Sequence, residues 1–340
     1  MNIYQVIDLE GCRTESKCAF ALDVLNGLSK QPREIPSKYL YDTRGSYLFE
    51  QITELPEYYQ TQSEIEIIRQ RIDFLRQLIS PAPFRLVELG VGDGRKTKLL
   101  IQDFLKHGIE FEYAPIDVCP ITIEKVVDEL KQDYSHTQLK VLGIIADYSE
   151  ALQWIGSHNS KRNIVLFLGS SIGNFDKQQI VQFLHQMWVS LNEGDIAFIG
   201  FDLKKSLPVL ERAYNDSAGV TKEFNLNLLD RINRELEGDF VRENFDHYSF
   251  YNPAEGRMES WLMSRKNQKV FLRTLQKTFE FEAWEGIHVE NSYKYNLKDL
   301  KHLADQVGFV TDTVLLDSKN YFAEAIWQIK KIDAAIGAFI

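Results

Sequence analysis

The sequence predicts an α/β chain, a Rossmann-like core with a second, mixed α+β unit inserted between its elements. Three observations carry this. Apolar runs of strand length alternate with helix-period runs between about residues 84 and 203. A glycine-rich turn closes the first of those strands. The alternation then breaks into aromatic, antiparallel-type segments before helix and strand patterns return near the C-terminus. At 340 residues the chain suits two compact units of roughly 150 residues each. Its 44% hydrophobic and 26% charged residues exclude a disordered or fibrous chain.

Taken in order, the first 60 residues hold a short amphipathic helix, about Cys18 to Leu28, and a polar, aromatic segment, SKYLYDTRGSYLFEQITELPEYY. From Ser63 to Ile79, Ile65, Ile68, Ile72, Leu75 and Ile79 fall on one helical face, with Ser63 as the expected cap. The runs FRLVELG, EFEYAPID, QLKVLGIIAD, NIVLFLG and DIAFIGFDL follow, separated by helices starting near Arg95, Thr122, Glu150 and Lys177. Continuous apolar strands between helices predict βαβ units and a parallel sheet covered on both faces. Beyond Leu203, Leu207 to Asn215 and Lys222 to Leu236 read as helices; Ser206 is the expected cap of the first, with Pro208 tolerated in its opening turn. Phe224, Leu228, Ile232 and Leu236 form one stripe of the second. Residues 245 to 290 read as antiparallel strands, Leu297 to Val307 as a helix, and FVTDTVLLDS with YFAEAIWQIKK as a closing strand pair. The expected core is 64–204 plus 295–340, and the inserted unit 1–63 plus 205–294.

The charge balance, 39 basic against 49 acidic residues, gives −10, and such a surface repels phosphate backbones. Nucleic acid is therefore not an expected partner. No run approaches the roughly 20 apolar residues of a membrane span, and the start, MNIYQVIDLEGCR, lacks a signal-peptide pattern, so a cytoplasmic protein is expected. Cys12, Cys18 and Cys119 make neither a disulfide framework nor a metal-type pair. The seven histidines contain no HxxxH or HExxH, so no metal is expected.

The first core strand runs into Glu88-Leu89-Gly90-Val91-Gly92-Asp93-Gly94, where glycines let the backbone turn sharply and approach a nucleoside. Taken alone, this turn could bind nothing. Two further acids sharpen it. Asp117 ends the second strand, where a carboxylate can accept ribose hydroxyls, and Asp147 ends the third, within reach of an adenine amino group. Three such strand ends in one sheet, with no Walker lysine, favour S-adenosylmethionine, a sulfonium cation without phosphate, over ATP. The fourth strand leads into Gly169-Ser170-Ser171-Ile172-Gly173-Asn174-Phe175 at the expected topological switch, where substrates of open α/β sheets bind. The Asn/Asp-Pro-Pro-aromatic signature of DNA amino-methylating enzymes is absent there.

Several long strings recur in one order: KYLYDTRGSYLFEQITELPEYYQTQSEIEII, ELGVGDGRKTKLL, LGSSIGNF, RAYNDSAGVTKEFNLNLLDRINREL and a late Glu-x-Ser. From about Ser37 to the C-terminus the chain resembles the histidine Nα-methyltransferases of the ergothioneine pathway. The resemblance implies a Rossmann-like class I methyltransferase core with an inserted mixed α+β substrate-binding domain, and a reaction that trimethylates the α-amine of L-histidine to the betaine hercynine. It implies cofactor contacts at Tyr41, Gly90, Lys96, Asp117, Asp147 and Gly169, with S-adenosylmethionine as donor and S-adenosylhomocysteine as product. On the substrate side it implies Tyr58 near the α-amine, Asn174 and Tyr214 on the carboxylate and amine, and Glu290 with Ser292 on the imidazole; Tyr58, Asn174 and Tyr214 are the expected catalytic group. A small amino acid is the expected partner and a monomer the expected state.

The chemistry fits these residue types. Methyl transfer from a sulfonium is an in-line displacement, so the protein mainly aligns a neutral amine and excludes water. Tyrosine faces at 41 and 58 tolerate the growing cation, at about 0.5–2 kcal/mol each. A carboxylate at Glu290 selects a ring N–H. The chain departs from the family pattern at Ser260, in MESWLMS, and at Asn291, which predicts a roomier or more polar ring pocket; fungal relatives of the superfamily methylate an indole amino acid. Two other readings follow: an enzyme for tryptophan or a similar amino acid, and a non-catalytic S-adenosylmethionine-binding regulatory module. His288, two residues before Glu290 and on the same strand face if that segment is extended, could assist proton removal, but a surface or supporting histidine is the preferred reading. Cys119 reads as a small buried filler.

Overall fold

The computed structural model describes residues 4–9, 13–79, 83–158 and 160–331. Residues 1–3, 10–12 (with Cys12), 80–82, 159 and 332–340 of the expected domain ranges lie outside them, and so do residues 1–3 and 10–12 of the MNIYQVIDLEGCR segment. In chain order the elements are β1 (Tyr4–Asp8), α1 (Arg13–Ser29), β2 (Arg33–Glu34), α2 (Thr43–Glu54) and α3 (Tyr59–Ile79). The alternating region follows as β3 (Phe84–Leu89), α4 (Arg95–Lys106), β4 (Phe111–Asp117), α5 (Pro120–Tyr134), β5 (Lys140–Ile145), α6 (Tyr148–Ser157), β6 (Arg162–Phe167), α7 (Lys177–Ser190) and β7 (Ile196–Asp202). Then come α8 (Leu207–Tyr214), α9 (Val220–Leu236), β8 (Phe245–Asn252), β9 (Arg257–Ser264), β10 (Gln268–Leu272), β11 (Lys277–Phe281) and β12 (Gly286–Tyr293). The chain closes with α10 (Leu297–Val307), β13 (Phe309–Leu316) and β14 (Phe322–Ile329).

Two units result: 1–9, 62–204 and 295–340 in the first, 10–61 and 205–294 in the second. The first is built on an eight-stranded sheet in the order β1-β5-β4-β3-β6-β7-β14-β13. Every pair from β1 to β7 is parallel, and β14 and β13 add antiparallel at one edge. Strand order runs one way from β3 to β4 and the other from β3 to β6, so the switch point lies at the carboxyl end of β3, beside its glycine turn. β3 is buried along its whole length, as its continuous apolar run requires of a strand covered on both faces. Phe84 stands edge-on to Phe104 and stacks on Phe111, and this cluster continues through Ile68, Leu100, Ile164 and Ile326. These facts establish a Rossmann-like α/β core.

The second unit packs α1, α2, α8 and α9 with a four-stranded sheet, β2-β12-β9-β8, and the hairpin β10-β11. The stripe Phe224, Leu228, Ile232 and Leu236 of α9 is fully buried in its core, beside Phe20, Leu40 and Leu262.

Three sequence expectations are corrected. Residues 1–63 were expected in the second unit, but β1 pairs in register with β5 and extends the first unit's sheet; its short, half-apolar run gave too little pattern to place. The helix expected from Ser63 starts at Tyr59, so Ser63 sits inside it and donates to Asp317 Oδ2 at 3.3 Å instead of capping. Ser206 occupies the N-cap position of α8 but makes no side-chain capping bond.

Candidate active site

On the first unit, the turn after β3 is held by its backbone. The amides of Gly90 and Val91 both donate to Ile116 O at the end of β4, at 2.9 and 3.1 Å. Gly90 has φ +74°, and a Cβ there would stand 3.0 Å from the Tyr148 hydroxyl. Gly92 has φ +54° and would present its Cβ to open space, so its requirement is conformational. Asp117 locks onto this turn: its carboxylate accepts from the Cys119 amide at 3.0 Å and the Gly92 amide at 3.4 Å. Burial nonetheless pushes its carboxyl above the ordinary range. Cys119 is the buried filler that was expected. Asp147 caps α6, accepting from the Glu150 amide at 2.9 Å, and Glu150 returns the bond to the Asp147 amide. Its helix-cap role is thus directly visible.

Lys96 and Gly169 are joined by a residue the sequence reading missed. Glu64, fully buried on α3, accepts from Lys96 Nζ at 2.8 Å through one oxygen and from the Gly169 amide at 2.7 Å through the other. Burial works against the Lys96 ammonium, but the Glu64 carboxylate outweighs it and raises the lysine above its usual value. Glu324 on β14 is also fully buried; loss of hydration, then the Glu64 charge, drive its carboxyl well above the usual range. An available signal for Glu64 was an acid one helical turn before Ile68, inside the apolar stripe of α3. Asn174 ends the short turn Ser171–Asn174 that follows β6.

On the second unit, Tyr41 is fixed by the residue after it. Asp42 caps α2, accepting from the Gly45 amide at 2.7 Å, and also from Asn227 Nδ2 at 2.8 Å and Arg234 at 2.6 Å. The Tyr41 ring meets Phe49 and Phe224 edge-on, each at 5.4 Å, and Phe49 in turn meets Tyr58 at 6.1 Å. Tyr58 donates to Gln60 Oε1 at 3.3 Å, and Gln60 Nε2 donates to the Tyr214 hydroxyl at 3.1 Å. Tyr214 donates to Ser292 Oγ at 2.6 Å. Lys294, buried and not anticipated from sequence, donates to both Tyr214 and Ser292 at 2.9 and 2.7 Å. Tyr58, Tyr214 and Ser292 therefore belong to one network, with Gln60 and Lys294 as its unforeseen links.

Glu290 and Ser292 project from the same face of β12. Glu290 has no hydrogen bond among the described residues, and burial raises its carboxyl to about 7 against the opposing pull of Lys294. Its cross-strand partner in register is Ser260, whose Oγ lies 2.9 Å from that of Ser249; Ser249 in turn bonds His247 Nε2 at 2.8 Å. Burial pushes His247 down to about 4, so this arm is neutral and polar. The expected departure at Ser260 thus lies on Glu290's side of the sheet. Asn291 lies on the opposite side. The alternative role of His288 in proton removal gains no support: a bulge between His288 and Glu290 turns His288 to the other face, against Trp261 at 5.0 Å. Among the described residues no cluster could hold a metal ion.

Residues 20–329 match the family described as histidine-specific methyltransferase, SAM-dependent. The histidine N-alpha-methyltransferase of Mycobacterium tuberculosis (strain CDC 1551 / Oshkosh) is 38% identical over 82% of this chain and 84% of its own length. Ergothioneine biosynthesis protein 1 of Schizosaccharomyces pombe is 31% identical over 81% of this chain, a match covering 36% of that longer protein. The L-tryptophan methyltransferase of Psilocybe serbica is more distant, 26% identical over 94% of this chain and 96% of its own length.

Proposed function

The chain belongs to the histidine-specific, S-adenosylmethionine-dependent methyltransferases, and on that footing we propose that it methylates the α-amine of L-histidine to the trimethylated betaine hercynine, releasing S-adenosylhomocysteine. The observation that supports the histidine reading best is Glu290. A carboxyl with no partner, half-buried beside a hydroxyl on the same strand face, suits a ligand that brings its own N–H. Tryptophan also carries an N–H, but the polar arm from Ser260 to His247 suits the smaller, two-nitrogen ring better.

The donor residues of the first unit fit an S-adenosyl group. Glycines at 90 and 92 carry no Cβ at those two positions of the turn, and Asp117 is fixed by backbone amides at a strand end, where it would accept ribose hydroxyls. Asp147 would meet the adenine, while Lys96, held by Glu64, and Gly169 would take the amino acid end; Tyr41 is assigned to the donor by the family resemblance. The bound donor supplies an electrophilic methyl on a sulfonium. The chain's own residues orient the acceptor: Tyr58 faces the amine, Asn174 and Tyr214 hold the carboxylate and amine, and Glu290 and Ser292 hold the ring. Orientation and exclusion of water are what this displacement requires of a protein. We assign these positions as the catalytic and binding set, needing no metal, and propose a cytoplasmic monomer acting on a free amino acid with no nucleic-acid partner. No helix among the described residues is long and apolar enough to cross a membrane.

Mass spectrometry of the purified chain with histidine and S-adenosylmethionine tests the reading. The expected result is histidine gaining three methyl groups, ahead of tryptophan in direct competition. Equal turnover of the two would overturn the role of Glu290, and cofactor binding without transfer to any amino acid would favour the regulatory-module alternative.

A further inference from the structure

The buried network around Ser292 has a fixed direction, which follows from counting its donors and acceptors. An ammonium has hydrogens and no lone pair, so Lys294 can only donate; its recorded bonds go to the Tyr214 hydroxyl at 2.9 Å and Ser292 Oγ at 2.7 Å. Gln60 Nε2 also donates to Tyr214, at 3.1 Å. With both acceptor positions of its oxygen filled, Tyr214 has only its own hydrogen to give, and gives it to Ser292 at 2.6 Å. Ser292 Oγ therefore accepts twice. Its own hydrogen finds no acceptor among the described residues, although the side chain is only 4% exposed. A buried donor left over in this way is available to a ligand. Two residues away on the same strand face, Glu290 offers the reverse, a carboxyl with no donor. The strand thus presents one acceptor and one donor, about 7 Å apart at the backbone.

We propose that Lys294 determines specificity at the histidine site: together with Tyr214 it saturates Ser292 as an acceptor and fixes that hydroxyl as a donor. The Glu290–Ser292 pair then admits a ring bearing one N–H and one bare nitrogen. Neutral imidazole has this pattern. Imidazolium has two N–H groups and offers Ser292 nothing to donate to, while indole has its single N–H and no bare nitrogen. The inference rests on the histidine reading given above and adds the protonation state in which the ring is bound.

The test uses the full chain and two histidine analogues, the 2-pyrrolyl and 3-pyrrolyl alanines, each keeping one ring nitrogen as N–H and replacing the other with C–H. At least one of them keeps the N–H that Glu290 accepts but cannot satisfy Ser292. For the wild-type protein both should be methylated with kcat/KM about 30-fold below histidine, as expected when a buried polar group is left unpaired. In Lys294→Met the Tyr214 oxygen loses a donor, so Ser292 can turn its hydrogen onto Tyr214 and no longer needs an acceptor on the ring; the discrimination between histidine and the better pyrrole should fall to about 5-fold or less. Ser292→Ala should erase the same discrimination, and Lys294→Met in that background should change it no further. S-adenosylhomocysteine affinity, measured by calorimetry, shows whether each variant is folded. No turnover of histidine by the wild-type protein would defeat the parent reading. Turnover of histidine with equal use of a pyrrole would defeat this inference alone, without relying on any variant. Discrimination that survives intact in Lys294→Met would remove the role of Lys294.

Discussion

The two units build their candidate sites from different materials. On the first, the geometry is set mostly by the main chain: Asp117 is held by the amides of Gly92 and Cys119, Gly90 by a carbonyl of the neighbouring strand, and Gly169 donates its amide to Glu64, the Lys96–Glu64 pair being the side-chain exception. On the second, it is set by side chains bonding side chains across long stretches of sequence, from Gln60 to Tyr214 to Ser292 to Lys294. A main-chain site is fixed by the fold and serves a ligand that many enzymes share. A side-chain site can be retuned one residue at a time, which suits the half of the reaction that must choose a substrate.

This contrast predicts which substitutions separate the two halves. The largest effect is expected from Glu290→Ala, which removes the carboxyl proposed to take the ring N–H: kcat/KM for histidine should fall about 100-fold, more than for tryptophan. Affinity for S-adenosylhomocysteine should stay within about twofold of wild type. Loss of both together would break the division drawn above. The converse variant is Gly90→Ala. At φ +74° a Cβ costs roughly 1–2 kcal/mol and meets the Tyr148 hydroxyl at 3.0 Å, so S-adenosylhomocysteine should bind about tenfold more weakly. Unchanged affinity in calorimetry would show that the glycine turn does not shape the donor site.

The same contrast explains what could be read in advance. The alternation of β3 to β7, the glycine turn and the strand-end acids are local patterns, and all stand where the sequence put them. β1 could not be placed, because its pairing with β5 is set more than 130 residues away and its five residues carry little pattern. The pair proposed for the imidazole, Glu290 and Ser292, was legible only through family resemblance, since Glu-x-Ser on a strand is chemically unremarkable. Lys294 and Gln60 were invisible because a lysine near a strand end and a glutamine near a helix start read as surface residues until the network buries them. His288 shows the limit of alternation as a guide: strict period two puts it beside Glu290, and one bulge turns it away.

The smallest expected effect concerns stability and uses two carboxyls that share a shift but not a unit. Glu88, at the end of β3, is raised from 4.5 to about 7 by burial, even though the Tyr113 hydroxyl bonds to it and Lys96 pulls the other way. Glu290 is raised to about 7 by the same cause. Between pH 4.5 and 7 each folded carboxyl still holds a proton that the unfolded chain has released, so their contribution to stability is complete at the acid end and is lost as pH rises. Glutamine does not titrate. Glu88→Gln should therefore melt closer to its pH 5 temperature at pH 8 than the wild-type chain does, recovering about 1–3 kcal/mol, or a few degrees. Glu290→Gln should flatten the same slope and, on the proposed role of Glu290, raise KM for histidine as well, whereas the Glu88 carboxyl already has Tyr113. A wild-type melting temperature that rises from pH 5 to pH 8 would contradict the raised carboxyls of Glu88 and Glu290, and with them the poorly hydrated acceptor proposed for the ring.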